Sequence, residues 1–220
     1  AQWDAILSLA NAGIGASDPV FAANTNANGD IFGASNYNVA ARAVGSNASG
    51  GSYKISERLI QDFNPGDQRL AQNFKQFATW IGNADRGNAF NTRYAIVDKG
   101  TGLAGVYVYC NRTAGSAEVF LLGSYEENEL MKAEAKLWKG DVAGAAASIN
   151  AVRAYQGAGL DPITSTNAAV VKEELRKERR TALAFRGLSF YDARRWGVLD
   201  NGRTGAVVIS KDGSSVSTNA

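Results

Sequence analysis

Six side chains, Phe32, Asn36, Tyr37, Asn38, Tyr53 and Trp80, combine flat aromatic faces with amides that donate and accept hydrogen bonds. That combination suits non-covalent recognition of a sugar, with a ring covering the C–H face of a pyranose and amides taking its hydroxyls. The same aromatics would serve equally well to pin loops to a core. A second chemistry is glycosidic hydrolysis by two carboxylates, for which Asp62 with Asp67, or Asp30 with Asp85, are available. Acids in turns such as Asn64-Pro65-Gly66-Asp67 also act as caps or solvated groups, and nothing in the spacing favours either pair. A third is phosphate contact, because residues 172–195 hold eight cations, Lys172, Arg176, Lys177, Arg179, Arg180, Arg186, Arg194 and Arg195, against four acids.

The composition narrows these options. The 220 residues include no histidine, which removes Ser-His-Asp and Cys-His catalysis, His-rich zinc sites and a histidine pH switch. Cys110 is the single cysteine; it has no partner for a disulfide within these residues, and in GVYVYC it reads as a small core residue. Net charge is +2, with 45% apolar and 20% charged residues, an ordinary globular composition. Outside the basic segment the chain is slightly acidic, so the field over any face is weak for phosphate and no nucleic-acid partner is expected. No cofactor and no metal constellation is indicated, although Asp30, Asp98 or loop carbonyls could hold a calcium ion.

The elements that must position these residues fall into three zones. Trp3, Ile6, Leu7 and Ala10 lie at helical spacing, and Gly13 to Gly51, rich in Gly, Asn and Ser, reads as long ordered loops. Ser56 caps a short helix that ends at Asn64-Pro65-Gly66. The pieces RYAIV, GVYVYC and AEVFLL, between Tyr94 and Leu122, predict one or two short hairpins. Tyr125 to Lys139 and Asp141 to Tyr155 then form two helices, closed by Gly140 and reopened by Asp141. Leu130, Ala133 and Leu137 stripe the first; Val142, Ala145, Ala146, Ile149 and Val152 stripe the second. Such a pair has the size of one tetratricopeptide unit. Asn167 caps a third helix running to about Trp196, with a break near Gly187.

Within that third helix Val171, Leu175, Glu178, Ala182, Phe185 and Ser189 recur at steps of 4, 3, 4, 3 and 4, which puts Glu178 in a buried seam. An unpaired buried carboxylate costs several kcal/mol or more, so an arginine must hold it; Arg153, Arg194 and Arg195 are the candidates. The arginine fork suits the task. Phe185, Phe190, Tyr191 and Trp196 surround the helix instead of forming one stacking row, so the basic segment reads as an internal lock.

The stretch EELRKERRTALAFRGLSFYDARRWG resembles the C-terminal signature of the SusD/RagB family of outer-membrane nutrient-binding lipoproteins. The matching residues are Glu178, Arg179, Arg180, Leu183, Ala184, Phe185, Gly187, Asp192, Arg194, Arg195, Trp196 and Gly197. Ala182 and Arg186 stand where the family has Glu, and Ser189 where Arg is common. Upstream, Ala133-Glu134-Ala135, Gly140-Asp141, Asn150, Val152-Arg153 and Gly159-Leu160 resemble its last tetratricopeptide-like pair, and Asp67 and Arg69 match a D-x-R element.

The resemblance implies a mainly α fold: a tetratricopeptide-like helix pair with long loops and short β hairpins, forming the C-terminal part of a SusD-like domain. Residues 1–124 would be the loop-rich region carrying the ligand site, 125–160 the helix pair and 168–197 the signature helix. The chain is expected to be a fragment, lacking a lipidated N-terminal cysteine, earlier helix pairs and a last stretch beyond Ala220. It implies a cell-surface protein of a Gram-negative, Bacteroidetes-like outer membrane, reaching the membrane only through that lipid. Its role would be to bind oligosaccharides or peptides without catalysis and pass them to a TonB-dependent, SusC-like transporter. A carboxylate-based glycoside hydrolase, or a protein scaffold of the transporter complex using Trp138, are the alternatives.

Overall fold

The structure, a computed structural model, describes residues 1–19, 22–25, 55–81, 92–96, 117–120, 123–197, 206–209 and 216–219. Helix α1 spans Gln2–Asn11, α2 Glu57–Ile60, α3 Gln68–Asn73, α4 Tyr125–Trp138, α5 Val142–Tyr155, α6 Ala168–Ala182 and α7 Ser189–Arg195. The strands are β1 Ala22–Thr25, β2 Phe74–Ile81, β3 Thr92–Ile96, β4 Ala117–Phe120, β5 Ala206–Ile209 and β6 Val216–Asn219, joined in three antiparallel pairs. The protein is mainly helical.

The helix pair is set by its caps. Ser124 Oγ accepts from the Glu127 amide at the start of α4. At its end Gly140, with φ +84°, lets the Asp141 amide reach Lys136 O (2.9 Å) while the Gly140 amide reaches Leu137 O (3.0 Å). This is the Schellman closure. Asp141 then caps α5 by accepting from the Gly144 amide at 2.8 Å, so one residue ends one helix and begins the next. Gly157, with φ +65°, repeats the closure at the end of α5. Tyr125 and Tyr155 meet edge to face at 4.8 Å, which closes the open end of the pair.

Helix α6 lies across both members. Leu130 and Ala133 of α4, Ala145, Ala146, Ile149 and Val152 of α5, and Val171, Leu175 and Ala182 of α6 form one buried cluster. The alanines keep the helices close, as the sequence stripes require. Asn150 pins the connection to α6, accepting from the Ile163 amide (2.9 Å) and donating to Ile163 O (3.2 Å). On the far side of α4, Asn128 Nδ2 donates to Ala10 O and Ile14 O, both at 2.9 Å, and Trp3 stacks on Trp138 with centroids 5.8 Å apart.

A smaller core of Ile55, Ile60, Phe63, Phe74 and Tyr94 ties α2 and α3 to the β2–β3 pair. Phe74 faces Ile96 and Gln76 faces Tyr94, and the register shifts before Ile81 faces Thr92.

Three expectations change. Two of the pieces between Tyr94 and Leu122 have partners other than each other: β3 pairs with β2, and β4 with β1. Strand β1 lies inside the stretch read as loops; GVYVYC and most of that stretch lie outside the described residues. The third helix stops at Ala182, where Gln156 Nε2 donates to the Ala182 carbonyl at 3.1 Å and frees the chain to leave the helix. Phe185 and Ser189 therefore fall out of the seam; Phe185 is 56% exposed, with φ +65°. A left-handed bulky residue of this kind costs on the order of 1–3 kcal/mol.

Gly140 gives a clean test of the pair, because a Cβ added there would meet nothing within 4 Å. Gly140→Ala should lower unfolding free energy by about 1–2 kcal/mol through backbone strain alone, measured as a fall in urea midpoint at unchanged m-value.

Candidate functional site

Glu178 is 1% exposed in the seam of α6, and both its oxygens are taken by guanidinium groups. Arg69, on α3, donates from Nη1 to Glu178 Oε1 (2.5 Å) and from Nη2 to Oε2 (3.2 Å). Arg153, on α5, donates from Nε to Glu178 Oε2 at 2.9 Å. Of the expected partners Arg153 is correct. Arg195 pairs elsewhere, Arg194 is exposed, and Arg69 was missed as a partner.

The lattice extends from these groups. Asp67 caps α3 through its Oδ1 and accepts from Arg69 Nε (3.0 Å) and Nη2 (2.7 Å). Arg153 Nη2 also reaches Glu174 Oε2 (2.5 Å), which accepts from Asn64 Nδ2 as well (2.8 Å). Gln156, 1% exposed, accepts from Arg69 and donates to Glu126 Oε1 and to the Ala182 carbonyl. Glu126 in turn receives Arg186 Nη2 at 3.2 Å, and Arg186 Nη1 meets Ser124 Oγ. Glu126, Leu130, Ala133 and Leu137 repeat at 4, 3 and 4, the same pattern that marks Glu178, so this second buried acid was legible.

A second set locks α7. Arg179 Nε donates to Asp192 Oδ2 (2.6 Å) and Arg195 Nε to Asp192 Oδ1 (2.9 Å). Arg195 also binds Glu134 on α4 through both terminal nitrogens, and Trp196 Nε1 donates to Glu134 Oε1 at 3.0 Å. The Arg195 guanidinium lies 4.6 Å from the Trp196 ring centre. Arg180 turns the other way, donating to Arg58 O (2.8 Å) and pairing with Asp62. Arg176, Lys177, Arg179, Arg180, Arg186 and Arg195 thus each lie beside a carboxylate, so most of the basic segment is paired within the fold, while Lys172 and Arg194 are exposed.

The electrostatics follow this pairing. Burial lowers the Arg69 pKa, but Glu178 and Asp67 outweigh it and raise it above the ordinary arginine value. Burial pushes Glu174 up, and hydrogen bonds from Arg153 and Asn64 more than reverse this, leaving it below an ordinary glutamate. Asp62 moves oppositely: burial raises it and Arg180 only partly compensates. Asp62 Oδ2 lies 2.8 Å from Arg180 Nε yet out of line for a hydrogen bond. Asp67 is a cap and an arginine partner and Asp62 an ion-pair partner, so this carboxylate pair is engaged structurally. Asp30 and Asp85 lie outside the described residues.

Of the sugar-binding candidates, Phe32, Asn36, Tyr37, Asn38 and Tyr53 lie outside the described residues, and Trp80 is described in its backbone only, near the outer end of β2. Among the described residues no group of three or more His, Cys, Asp and Glu is arranged to hold a metal ion.

Residues 127–217 match the SusD family. Among solved structures, a SusD-like protein from Bacteroides fragilis is 24% identical, with 70% of this chain and 32% of that one covered at a TM-score of 0.45. A SusD superfamily protein from Bacteroides vulgatus is 21% identical, covering 68% and 35% at a TM-score of 0.49. A SusD-like carbohydrate binding protein from Bacteroides vulgatus is 18% identical, covering 76% and 33% at 0.41. The chain spans about a third of the length of these structures. No curated protein matches it.

Glu178→Ala should cost about 3–5 kcal/mol in urea unfolding because it removes the acid shared by two buried guanidiniums, whereas Glu173→Ala, which breaks an exposed pair with Arg176, should cost under about 1 kcal/mol. For Glu174, whose pKa is depressed in the fold, stabilisation is present above its unfolded pKa and is lost as pH falls through the folded value. Glu174→Gln should therefore flatten the acid limb of a midpoint-against-pH curve. Asp62→Asn should flatten the opposite trend, since a raised carboxyl favours the fold at low pH and loses that contribution as pH rises through its folded value.

Proposed function

We propose, for a chain whose residues 127–217 match the SusD family, that it binds nutrient oligosaccharides at the cell surface without catalysis. The bound sugar passes to a partner TonB-dependent, SusC-like transporter in the outer membrane. The observation that carries this reading is the family segment itself, whose signature residues Glu178, Arg179, Asp192 and Arg195 are held in ion pairs within the fold.

The proposal divides the chain by role. Residues 125–160 and 168–197 are a rigid support, and residues 1–124 carry the sugar contacts. Recognition on loops held by a rigid scaffold is the common arrangement for binding proteins. Aromatic faces at Phe32, Tyr37, Tyr53 and Trp80 would cover sugar rings, and Asn36 and Asn38 would bond hydroxyls. An N-terminal lipid would hold such a protein at the outer membrane. None of the described helices is long and apolar enough to cross a membrane.

On a glycan array, the full-length protein should retain one class of oligosaccharide and release no product from it. Trp80→Ala and Tyr37→Ala should each weaken that binding about tenfold, as loss of a central aromatic contact does. Unchanged affinity in both variants, or product release from a panel of polysaccharides, would remove the proposal.

A further inference from the structure

Phe185 occupies a position where a glycine would be at ease. Its φ of +65° lies in the left-handed region, which bulky L-residues avoid; two residues later, Gly187 adopts +75° with no such penalty. The turn between α6 and α7 thus uses glycine at one left-handed position and a phenyl ring at the other. Burial does not account for the ring, which is 56% exposed.

Its contact does. The Phe185 ring lies 6.3 Å from that of Phe74, with planes tilted by 50°. Phe74 is 4% exposed, packs edge-on against Phe63 at 5.7 Å, and is the first residue of β2, the strand that carries Trp80. Five residues earlier Arg69 is bound to Glu178, and between them Asn73 Nδ2 donates to Arg69 O at 2.8 Å across α3. The root of β2 is therefore tied to the signature segment twice, by an ion pair at Glu178 and by a ring at Phe185. The root is also the regularly paired part of the strand, since register holds from Phe74 to Gln76 and shifts before Ile81.

We infer that Phe185 is a positioning residue for the proposed site: its strained turn delivers a ring that fixes the root of β2, the strand whose backbone includes Trp80. The inference rests on the proposed reading of Trp80 as a glycan contact. Phe185 touches no ligand and acts through Phe74.

The test uses the full-length protein with Phe185→Ala, Phe185→Gly and Phe185→Tyr. Amide exchange is followed without ligand, and affinity is measured for the glycans retained on the array. Loss of one ring contact should speed exchange over residues 74–81 and 92–96 by roughly three- to tenfold, with α4 and α5 unchanged. Glycan affinity should fall by a similar factor. Phe185→Gly should behave like Phe185→Ala, although it relieves the backbone, and Phe185→Tyr should restore both readouts. Wild-type exchange in β2 and β3 of Phe185→Ala would overturn the inference. So would a loss of protection spread evenly over α4, α5 and α6. Should the wild type bind no glycan, the sugar reading of Trp80 fails, while the exchange pattern still decides the role of Phe185.

Discussion

A carboxylate buried between Leu175 and Ala182 is the constraint on which the rest of this fold depends. An ion removed from water costs several kcal/mol, and the cost is offset only where both oxygens meet charged donors in good geometry. Arg69 and Arg153 supply those donors from two other helices, and Asp67, Gln156 and Glu174 complete their remaining bonds. Three acids, Asp67, Glu174 and Glu178, thus surround two guanidiniums, with Lys177 at the edge beside Glu174. Segments more than one hundred residues apart in sequence are brought to one place by this balance.

The apolar core and the ion lattice do different work. Leu130, Ile149, Val152, Val171 and Leu175 supply non-directional burial, which many registers of three helices could satisfy. The lattice is directional, and it selects the register in which Glu178 faces Arg153 and the α3 turn arrives with Arg69. Asp192, Arg195 and Glu134 repeat the device for α7, so that a short helix whose Phe190 and Tyr191 are exposed is fixed to α4.

Local signals made the helices readable. Gly140, Asp141 and Asn167 announce their caps, and the alanine-rich stripes announce which faces meet. The 4, 3 spacing placed Glu178 in the seam and demanded a cation. The identity of that cation was less accessible, because Arg69 lies 109 residues away and no periodicity links the two. The D-x-R element was visible, but only the fold shows that it caps a helix and delivers a guanidinium at once. The end of α6 was obscured for a similar reason: Ala182, Leu183 and Ala184 favour helix, and the carbonyl that lets the chain leave is taken by Gln156 from another element. Strand β1, Ala22–Thr25, has little β propensity and pairs with residues 117–120 through long-range context. By contrast the apolar run Val207–Ile209 in β5 carries a strand signal in its β-branched residues.

The central claim is that the arginine-rich signature is an internal lock, cooperative across elements, and a double-mutant cycle between Arg69→Met and Glu178→Leu tests it most directly. Each single change deprives a buried charge of one of its two partners, and the double change removes both members of the pair together. The account predicts that the double variant is destabilised by much less than the two singles combined, with a coupling energy of about 2–3 kcal/mol or more. Additive effects, within about 0.5 kcal/mol, would contradict it and return the segment to the surface.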